Sequence, residues 1–149
     1  MIFSKTTEYA FRIMSFMAVE ETKLHTANEI FDGLNIPYRY LRKLMGILSK
    51  SSLVNSVQGK HGGYKIAKKL SNISLIDIIR VIGDDKIDSP CFFGFINCAF
   101  TKKCKMHDKW NNIHKDIREI LDKTTLDELK KSGPPNFKAK NISVLTKTN

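Results

Sequence analysis

Residues 26–50 carry the start and stop signals of two short helices that a tight turn must join. Thr26 and Glu29 form a capping-box pattern, in which each side chain satisfies a free amide at the start of a helix. Gly33 is expected to end this helix, because glycine takes the left-handed conformation at low cost. Pro37 then fixes φ at the start of a second helix. Two helices separated by so few residues predict a helix-turn-helix unit.

The helix predicted after Pro37 has an apolar face and a basic face. Its apolar residues recur at intervals of three and four, so they are expected to be buried: Leu41, Leu44, Met45 and Leu48. The opposite face carries the small Gly46 and four long cationic side chains, Arg39, Arg42, Lys43 and Lys50. A helix of this kind suits the major groove of DNA, where basic side chains reach phosphates and base edges.

Residues 53–68 predict a β-hairpin directly after this unit. The sequence LVNSVQGKHGGYKIAK offers two short strands, around residues 54–57 and 64–66, and its three glycines allow a tight tip. Lys60 and His61 are expected to project from that tip. The place of the hairpin after a basic helix, together with its own lysines, favours a DNA-binding wing over an ordinary surface hairpin.

The positive charge of the chain is concentrated in the same region. The net charge is +10, and residues 33–76 hold eight Lys or Arg residues and no Asp or Glu. Such a field favours a polyanionic partner, nucleic acid first. A solvated basic face, or a metal-binding adaptor that docks on an acidic protein without DNA specificity, would also fit the charge.

Two broad classes of function are disfavoured by the sequence. No Ser–His–Asp spacing, nucleotide-binding loop or HExxH motif occurs, so the chain is not expected to be an enzyme. No run of about 18 apolar residues occurs, so no membrane span is expected. Glu8 and Arg12 interrupt the apolar stretch near the N-terminus, which is unlike a secretory signal, and a cytoplasmic protein is expected.

The remaining periodicity predicts four further helices around this unit. They are expected over about residues 6–20, from Ser74 to Gly83, over about residues 106–123, and in a short segment that opens at Thr125. The predicted fold class is mainly α with a small β-hairpin wing. The predicted divisions are a winged helix-turn-helix domain at 1–83, a cysteine-containing loop at 84–107, a long helix and short terminal helix at 108–132, and a disordered basic tail at 133–149.

The long predicted helix carries one apolar stripe, made up of Trp110, Ile113, Ile117, Ile120 and Leu121. A stripe of this kind could pack on the core of the same chain. Because the helix follows a DNA-binding unit that already has its own apolar faces, a contact between two copies of the chain is the favoured interpretation. The protein is therefore expected to be a homodimer.

All three cysteines lie in one short stretch, CFFGFINCAFTKKCKMH. Cys91, Cys98 and Cys104 are followed by His107, with the spacings Cys-x6-Cys, Cys-x5-Cys and Cys-x2-His. Three thiols cannot all pair within one chain, and clustered thiols in a reducing compartment favour metal binding or redox sensing. The donors suit an iron–sulfur cluster, a Cys3His zinc site or a metal-free thiol switch.

Several of these stretches taken together resemble the Rrf2 family of bacterial winged-helix transcription regulators. The similarity spans about residues 1–132 and includes TTEYAFRIM, IPYRYLRKLMGILSKSSLV, GKHGGYKIAK, ISLIDIIRVIG and CKMHDKW. The resemblance implies a homodimer whose long helices pair and whose two wings straddle a palindromic operator in double-stranded DNA. The side chains expected to contact DNA are Tyr38, Arg39, Arg42, Lys43, Lys50, Gln58, Lys60 and His61.

The same resemblance implies an iron–sulfur cluster, with two or four irons, held by the three cysteines. Some members of the family take the fourth ligand from a His at the position of His107. Others take a carboxylate from the first helix of the partner subunit, which would be Glu8 of the partner subunit. The wing departs from that of many relatives, because Gln58 stands where they carry Arg, so a hydrogen bond would replace the stronger pull of Arg in the minor groove.

Overall fold

The order of the helices and the hairpin is as predicted. The computed structural model describes residues 3–89, 91–100 and 104–136. The helices are α1 (Lys5–Val19), α2 (Ala27–Leu34), α3 (Tyr38–Lys50), α4 (Leu75–Ile82), α5 (Lys105–Lys123) and α6 (Leu126–Lys131). The strands β1 (Val54–Val57) and β2 (Gly63–Ile66) form the wing, and short 3-10 turns occupy Leu70–Asn72 and Asp85–Asp88. The predicted fold class, mainly α with a β-hairpin wing, is confirmed.

The first helix of the helix-turn-helix unit begins as predicted but ends differently. Thr26 Oγ1 accepts a hydrogen bond from the Glu29 amide at 3.2 Å, and the Thr26 amide donates to Glu29 Oε2 at 2.8 Å. The prediction that Gly33 ends the helix is wrong, since α2 continues beyond it and Asn35 takes the left-handed cap at φ 51°. Gly33 serves packing instead, because a Cβ there would lie 2.4 Å from the Phe16 ring.

The apolar face of α3 packs into the main core of the chain. The four predicted residues are all buried: Leu41, Leu44, Met45 and Leu48. They share this core with buried side chains of α1, which include Ala10, Ile13, Met14 and Met17. Each fully buried Leu, Ile or Met stabilises the fold by about 1.5–3 kcal/mol relative to an exposed one. Burial of one face therefore fixes the opposite, basic face of α3 toward solvent.

The wing is tied to the segment between α1 and α2. Strands β1 and β2 pair antiparallel, with Val57 opposite Gly63. His25 adds one more bridge, and its backbone exchanges hydrogen bonds of 2.8 and 2.7 Å with Tyr64. A Cβ at Gly63 would lie 2.6 Å from the His25 carbonyl oxygen, so this close approach requires glycine. The wing is thereby held beside the helix-turn-helix unit.

The apolar stripe of α5 is divided between the inside of the chain and its surface. Leu121 is 6% exposed and belongs to a small apolar cluster whose other buried members are Ile76, Ile79 and Ile87. Ile113 and Ile120 are 51% and 62% exposed. The inner side of α5 is therefore fixed on α4, and its outer side leaves large apolar side chains in contact with water.

The short terminal helix α6 returns to the DNA-binding half of the chain. Thr125 and Glu128 form its capping box, and Leu126 is buried in the main core beside α1. Of the predicted tail at 133–149, only residues 133–136 belong to the described part. Within the described ranges, no helix is long and apolar enough to cross a membrane.

Candidate nucleic-acid interface and cysteine loop

The basic face of α3 lies open at the surface. Its predicted DNA-contacting side chains are all exposed: Tyr38, Arg39, Arg42, Lys43 and Lys50. The ring of Tyr38 packs edge-to-face on Phe31 of α2, with ring centroids 5.7 Å apart. Among the described residues, none of the four cations forms an ion pair, whereas lysines on α5 and α6 pair with carboxylates. The charge of this face is therefore available to a polyanion.

A groove of about 260 Å³ joins α2, α3 and the wing. Tyr38 and Arg42 of α3 and Gln58 of the wing all line it, so three predicted DNA-contacting residues meet in one place. Asn28 and Ser56 also line the groove, and neither was predicted from the sequence. The only sequence signal at Asn28 was its position two residues after the capping Thr26. That position indicates the start of a helix and not a binding surface.

The tip of the wing carries Lys60 and His61, which are both exposed. Neither lines the groove, although the neighbouring Gly59 and Gly62 do. Gly59 has a φ of 105°, which allows the tight turn that glycine was predicted to supply. Both side chains are thus presented to solvent from the tip of the wing, and their contact with DNA stays a prediction.

The four predicted metal donors of this subunit line one small pocket of about 90 Å³: Cys91, Cys98, Cys104 and His107. The rest of its wall is apolar and consists of Phe92, Phe93, Phe95, Ile96, Phe100 and Met106. The three thiols are free; Cys98 is exposed, and the other two are half-buried. Within the described residues, no three His, Cys, Asp or Glu side chains lie close enough together to hold a metal ion. The donors share a pocket without the geometry of a ligand shell.

Local turns shape the backbone at three of the four donors, Cys91, Cys104 and His107. Cys104 is the N-cap of α5, and its carbonyl accepts a hydrogen bond from the His107 amide at 3.0 Å. At the other end, Gly94 has a φ of 75° and its amide donates to the Cys91 carbonyl at 3.0 Å. Thiolate and imidazole are the donor types of iron–sulfur clusters and of zinc sites, so the residues present fit either group.

The cysteine loop is attached to α5 at two points. The Phe92 ring packs edge-to-face on the Trp110 indole, with centroids 5.3 Å apart. Asp88, three residues before Cys91, forms an ion pair with Arg118. Further large apolar side chains of the loop are 44% to 94% exposed: Phe93, Phe95, Ile96 and Phe100. A cluster of exposed apolar side chains of this size marks a surface that another group or molecule covers.

The alternative fourth ligand, Glu8, lies on α1. Its Oε2 forms an ion pair with Lys5 Nζ at 3.2 Å. Glu8 does not line the pocket of its own subunit. A role in ligation would therefore have to come from Glu8 of the partner subunit, as the family resemblance implies.

A buried carboxylate that was not predicted lies just after α4, at the first residue of the loop segment 84–107. Asp84 is 8% exposed, and its Oδ2 accepts hydrogen bonds from the Ser4 amide at 2.8 Å and from Thr7 Oγ1 at 2.6 Å. Burial raises the pKa of Asp84, but these hydrogen bonds outweigh it and hold the pKa below its ordinary value. Asp84 therefore stays ionised and joins the start of the loop segment to the first turn of α1.

An exposed basic helix, a wing beside it and a groove shared by both define a winged helix-turn-helix DNA-binding protein. The chain belongs to the Rrf2 family, because the model of this family, described as an iron-dependent transcriptional regulator, matches residues 3–132. It is 30% identical over 130 residues to the HTH-type transcriptional regulator NsrR of Oceanobacillus iheyensis, and the match covers 86% of this chain and 88% of that protein.

Solved structures agree with the family. CymR, the global cysteine regulator of B. subtilis, superposes with a TM-score of 0.73 at 27% identity, covering 87% of this chain and 96% of CymR. IscR of T. potens superposes with a TM-score of 0.67 at 26% identity, covering 87% of this chain and 85% of that one. The protein is accordingly a DNA-binding transcription regulator and not an enzyme.

Proposed function

We propose that this regulator binds a palindromic operator as a homodimer and that an iron–sulfur cluster in the cysteine loop controls its affinity for DNA. The observation that carries the proposal is the pocket that gathers three free thiols and the His107 imidazole at the start of α5. Thiolates with one imidazole are an established ligand set for such clusters. The description of the family as iron-dependent supports the same conclusion.

The exposed side of α5 supports the dimer. Ile113 and Ile120 leave about half or more of their surface in water, which is unfavourable unless another apolar surface covers them. Trp110, on the same predicted stripe, is half-buried, whereas Leu121 is buried inside the chain and Ile117 packs against its cluster. Pairing of two α5 helices would relate two recognition helices by a two-fold axis, so the operator would be a palindrome. DNA as the partner implies action in the cytoplasm.

The residues of the loop would have different roles at the cluster. Cys91, Cys98 and Cys104 would supply three ligands, and His107 or Glu8 of the partner subunit would supply the fourth. When bound, the cluster supplies chemistry that responds to redox state, nitric oxide or iron–sulfur supply. The Phe92 ring on Trp110 would hold the loop in place, and the other aromatic side chains of the pocket would exclude water from the thiolates.

A zinc site or a metal-free thiol switch is the second candidate. The free and exposed Cys98 thiol favours the thiol switch, because exposure is one requirement for reversible oxidation, and the Cys3His donor set suits zinc. The third interpretation of the sequence, a basic adaptor without DNA specificity, is not supported by a family of transcription regulators.

Iron, sulfide and zinc content, measured with a visible spectrum on protein purified without oxygen, tests the cluster. We expect iron and sulfide in stoichiometric amounts with thiolate-to-iron absorption. Zinc alone, or no metal even after reconstitution, would contradict the cluster and favour the second candidate. His107→Ala and Glu8→Ala then identify the fourth ligand by loss or change of that absorption, and His61→Ala on the wing is the matched histidine control.

A further inference from the structure

We propose that the first turn of α1 connects the cysteine loop mechanically to the recognition helix α3, with Asp84 and Tyr40 as the contacts at its two ends. The two are positioning residues: neither is a predicted cluster ligand or DNA contact. Control of DNA binding through this connection rests on the proposed function, whereas the connection itself can be tested without metal or DNA.

The loop end of the connection is a buried, ionised hydrogen-bond site. Asp84 is the first residue of the loop segment 84–107 and lies seven residues before Cys91, and Thr7 on α1 is fully buried. The 2.6 Å bond from Thr7 Oγ1 and the 2.8 Å bond from the Ser4 amide both end on Asp84 Oδ2. A buried carboxylate that loses a donor is strongly unfavourable, so a displacement of Asp84 would take the first turn of α1 with it.

The same turn holds the recognition helix on its other side. The hydroxyl groups of Thr6 and Tyr40 are hydrogen-bonded to each other. The Tyr9 ring, one turn further along α1, packs edge-to-face on the Tyr40 ring with centroids 5.5 Å apart. Tyr40 follows Arg39 in the first turn of α3, so a shift of Tyr40 would re-aim the basic face.

The two ends cannot move independently, because Thr6 and Thr7 are adjacent residues of one helical turn. Ser4 Oγ accepts a hydrogen bond from the Thr7 amide at 3.2 Å and so caps this turn. Glu8 belongs to the following position, so a ligand role of Glu8 in the partner's cluster would act on the same turn. Rigid elements linked by hydrogen bonds at both ends are the kind of structure that carries coupling between sites.

The first test is amide hydrogen exchange on metal-free protein, comparing Asp84→Asn with the matched control Asp77→Asn. Asp77 also caps a helix, but its hydrogen bonds from the Ser74 amide and hydroxyl stay within the capping box of α4. We expect Asp84→Asn to raise exchange about 5-fold or more at the amides of Glu8 and Leu41, and Asp77→Asn to leave both unchanged. Faster exchange at Glu8 alone would overturn the connection.

The second test is a double-mutant cycle on DNA affinity. The probe is the duplex that the wild-type protein selects from a random-sequence pool, and the variants are Asp84→Asn, Tyr40→Phe and their combination. We expect the double variant to bind within about 2-fold of the weaker single variant, because both changes break one connection. If the losses of DNA affinity in the two single variants multiply in the double variant, as at independent sites, the connection is overturned. Thr7→Ser keeps the hydroxyl group and is expected to bind the duplex with wild-type affinity. Thr7→Val removes the hydroxyl group and is not expected to do so.

The third test links the connection to the loop and separates its failure from that of the proposed function. In loaded Asp84→Asn, iron content should match wild type, while the ratio of loaded to unloaded DNA affinity moves toward one. An unchanged ratio together with unchanged exchange at Leu41 would overturn the connection and leave cluster control intact. A wild-type ratio of one would overturn cluster control, and the exchange result would still decide whether the connection exists.

Discussion

The DNA-binding face and the cysteine loop are built in different ways. The DNA-binding face stands on α3, whose apolar side is fully buried, and its groove is formed by three elements of one chain. The cysteine loop is attached to α5 by Phe92 and Asp88, and it leaves several large apolar side chains exposed. The first region is formed within one chain, whereas the second exposes apolar side chains that we propose a bound group or a second copy of the chain covers.

The largest effect is expected from Cys98→Ala, which should remove essentially all bound iron. The pocket retains only two thiols and one imidazole in its own subunit, and a cluster requires thiolate ligands that are deprotonated and close together. Met106→Leu is the control, because Met106 lines the same pocket as a non-ligand of similar volume. Iron content after anaerobic reconstitution is the measurement, and equal iron in both variants would show that the loop is not the ligand site.

The division of α5 into a buried inner side and an exposed outer side can be tested at two neighbouring positions. Leu121→Ala is expected to lower the free energy of unfolding by about 2–4 kcal/mol, because it empties part of a buried apolar cluster. Ile120→Ala should change the stability of the subunit itself by less than about 0.5 kcal/mol, since this side chain is 62% exposed.

Denaturant unfolding over a range of protein concentrations separates the two roles. Ile120→Ala should weaken self-association in sedimentation experiments, and Leu121→Ala should act at every concentration. Equal losses of subunit stability at the two positions would contradict the division of α5 into an inner and an outer side.

The DNA-binding face is expected to lose affinity when Arg42 is truncated. Arg42→Ala should weaken binding to the selected duplex by about 1–3 kcal/mol and reduce its dependence on salt, because we expect Arg42 in the groove to contact bases or phosphates. Lys123→Ala, on the far end of α5 and paired with Glu119, is the control and should bind as wild type does. Fluorescence anisotropy at several salt concentrations makes the comparison, and equal effects of the two changes would contradict the assignment of the face.

The smallest predicted effect is the change with pH in the contribution of Asp84 to folding stability. Its pKa in the folded protein lies below the ordinary value, which is about 3.9 in an unfolded chain, so its contribution to stability is present above that value. The contribution is lost as the pH falls through the lower pKa of the folded state. Asp84→Asn should therefore unfold more easily than wild type at neutral pH, and the difference should shrink below about pH 4. A difference that stays constant with pH would contradict the ionised state of Asp84.

Local signals made most of the fold predictable. The capping box at Thr26 and the spacing of Leu41, Leu44 and Leu48 act within one helix, so sequence alone places them. The prediction for Gly33 was wrong because the role of this residue is set by the Phe16 ring of another helix, which no local pattern reveals. Asp84 was missed for the same reason, since its partners lie 77 and 80 residues away in the sequence.

The candidate site was predictable in its residue types but not in its geometry. Cysteine spacing identifies the donors of the loop, yet only the folded chain shows that they line a common pocket with His107. The periodicity of α5 likewise shows a single stripe, and only packing separates Leu121 inside the chain from Ile113 and Ile120 at its surface. Whether the fourth ligand is His107 or Glu8 of the partner subunit depends on the dimer and stays a prediction.

The most direct test of control by the cysteine loop is the affinity of one preparation for the selected duplex, measured with the cluster loaded and again after its removal. We predict that the two affinities differ by about 5-fold or more, and that Cys98→Ala binds as the unloaded protein does. Equal affinities in preparations whose iron contents differ, or Cys98→Ala that binds as the loaded protein does, would contradict control of DNA binding by this loop.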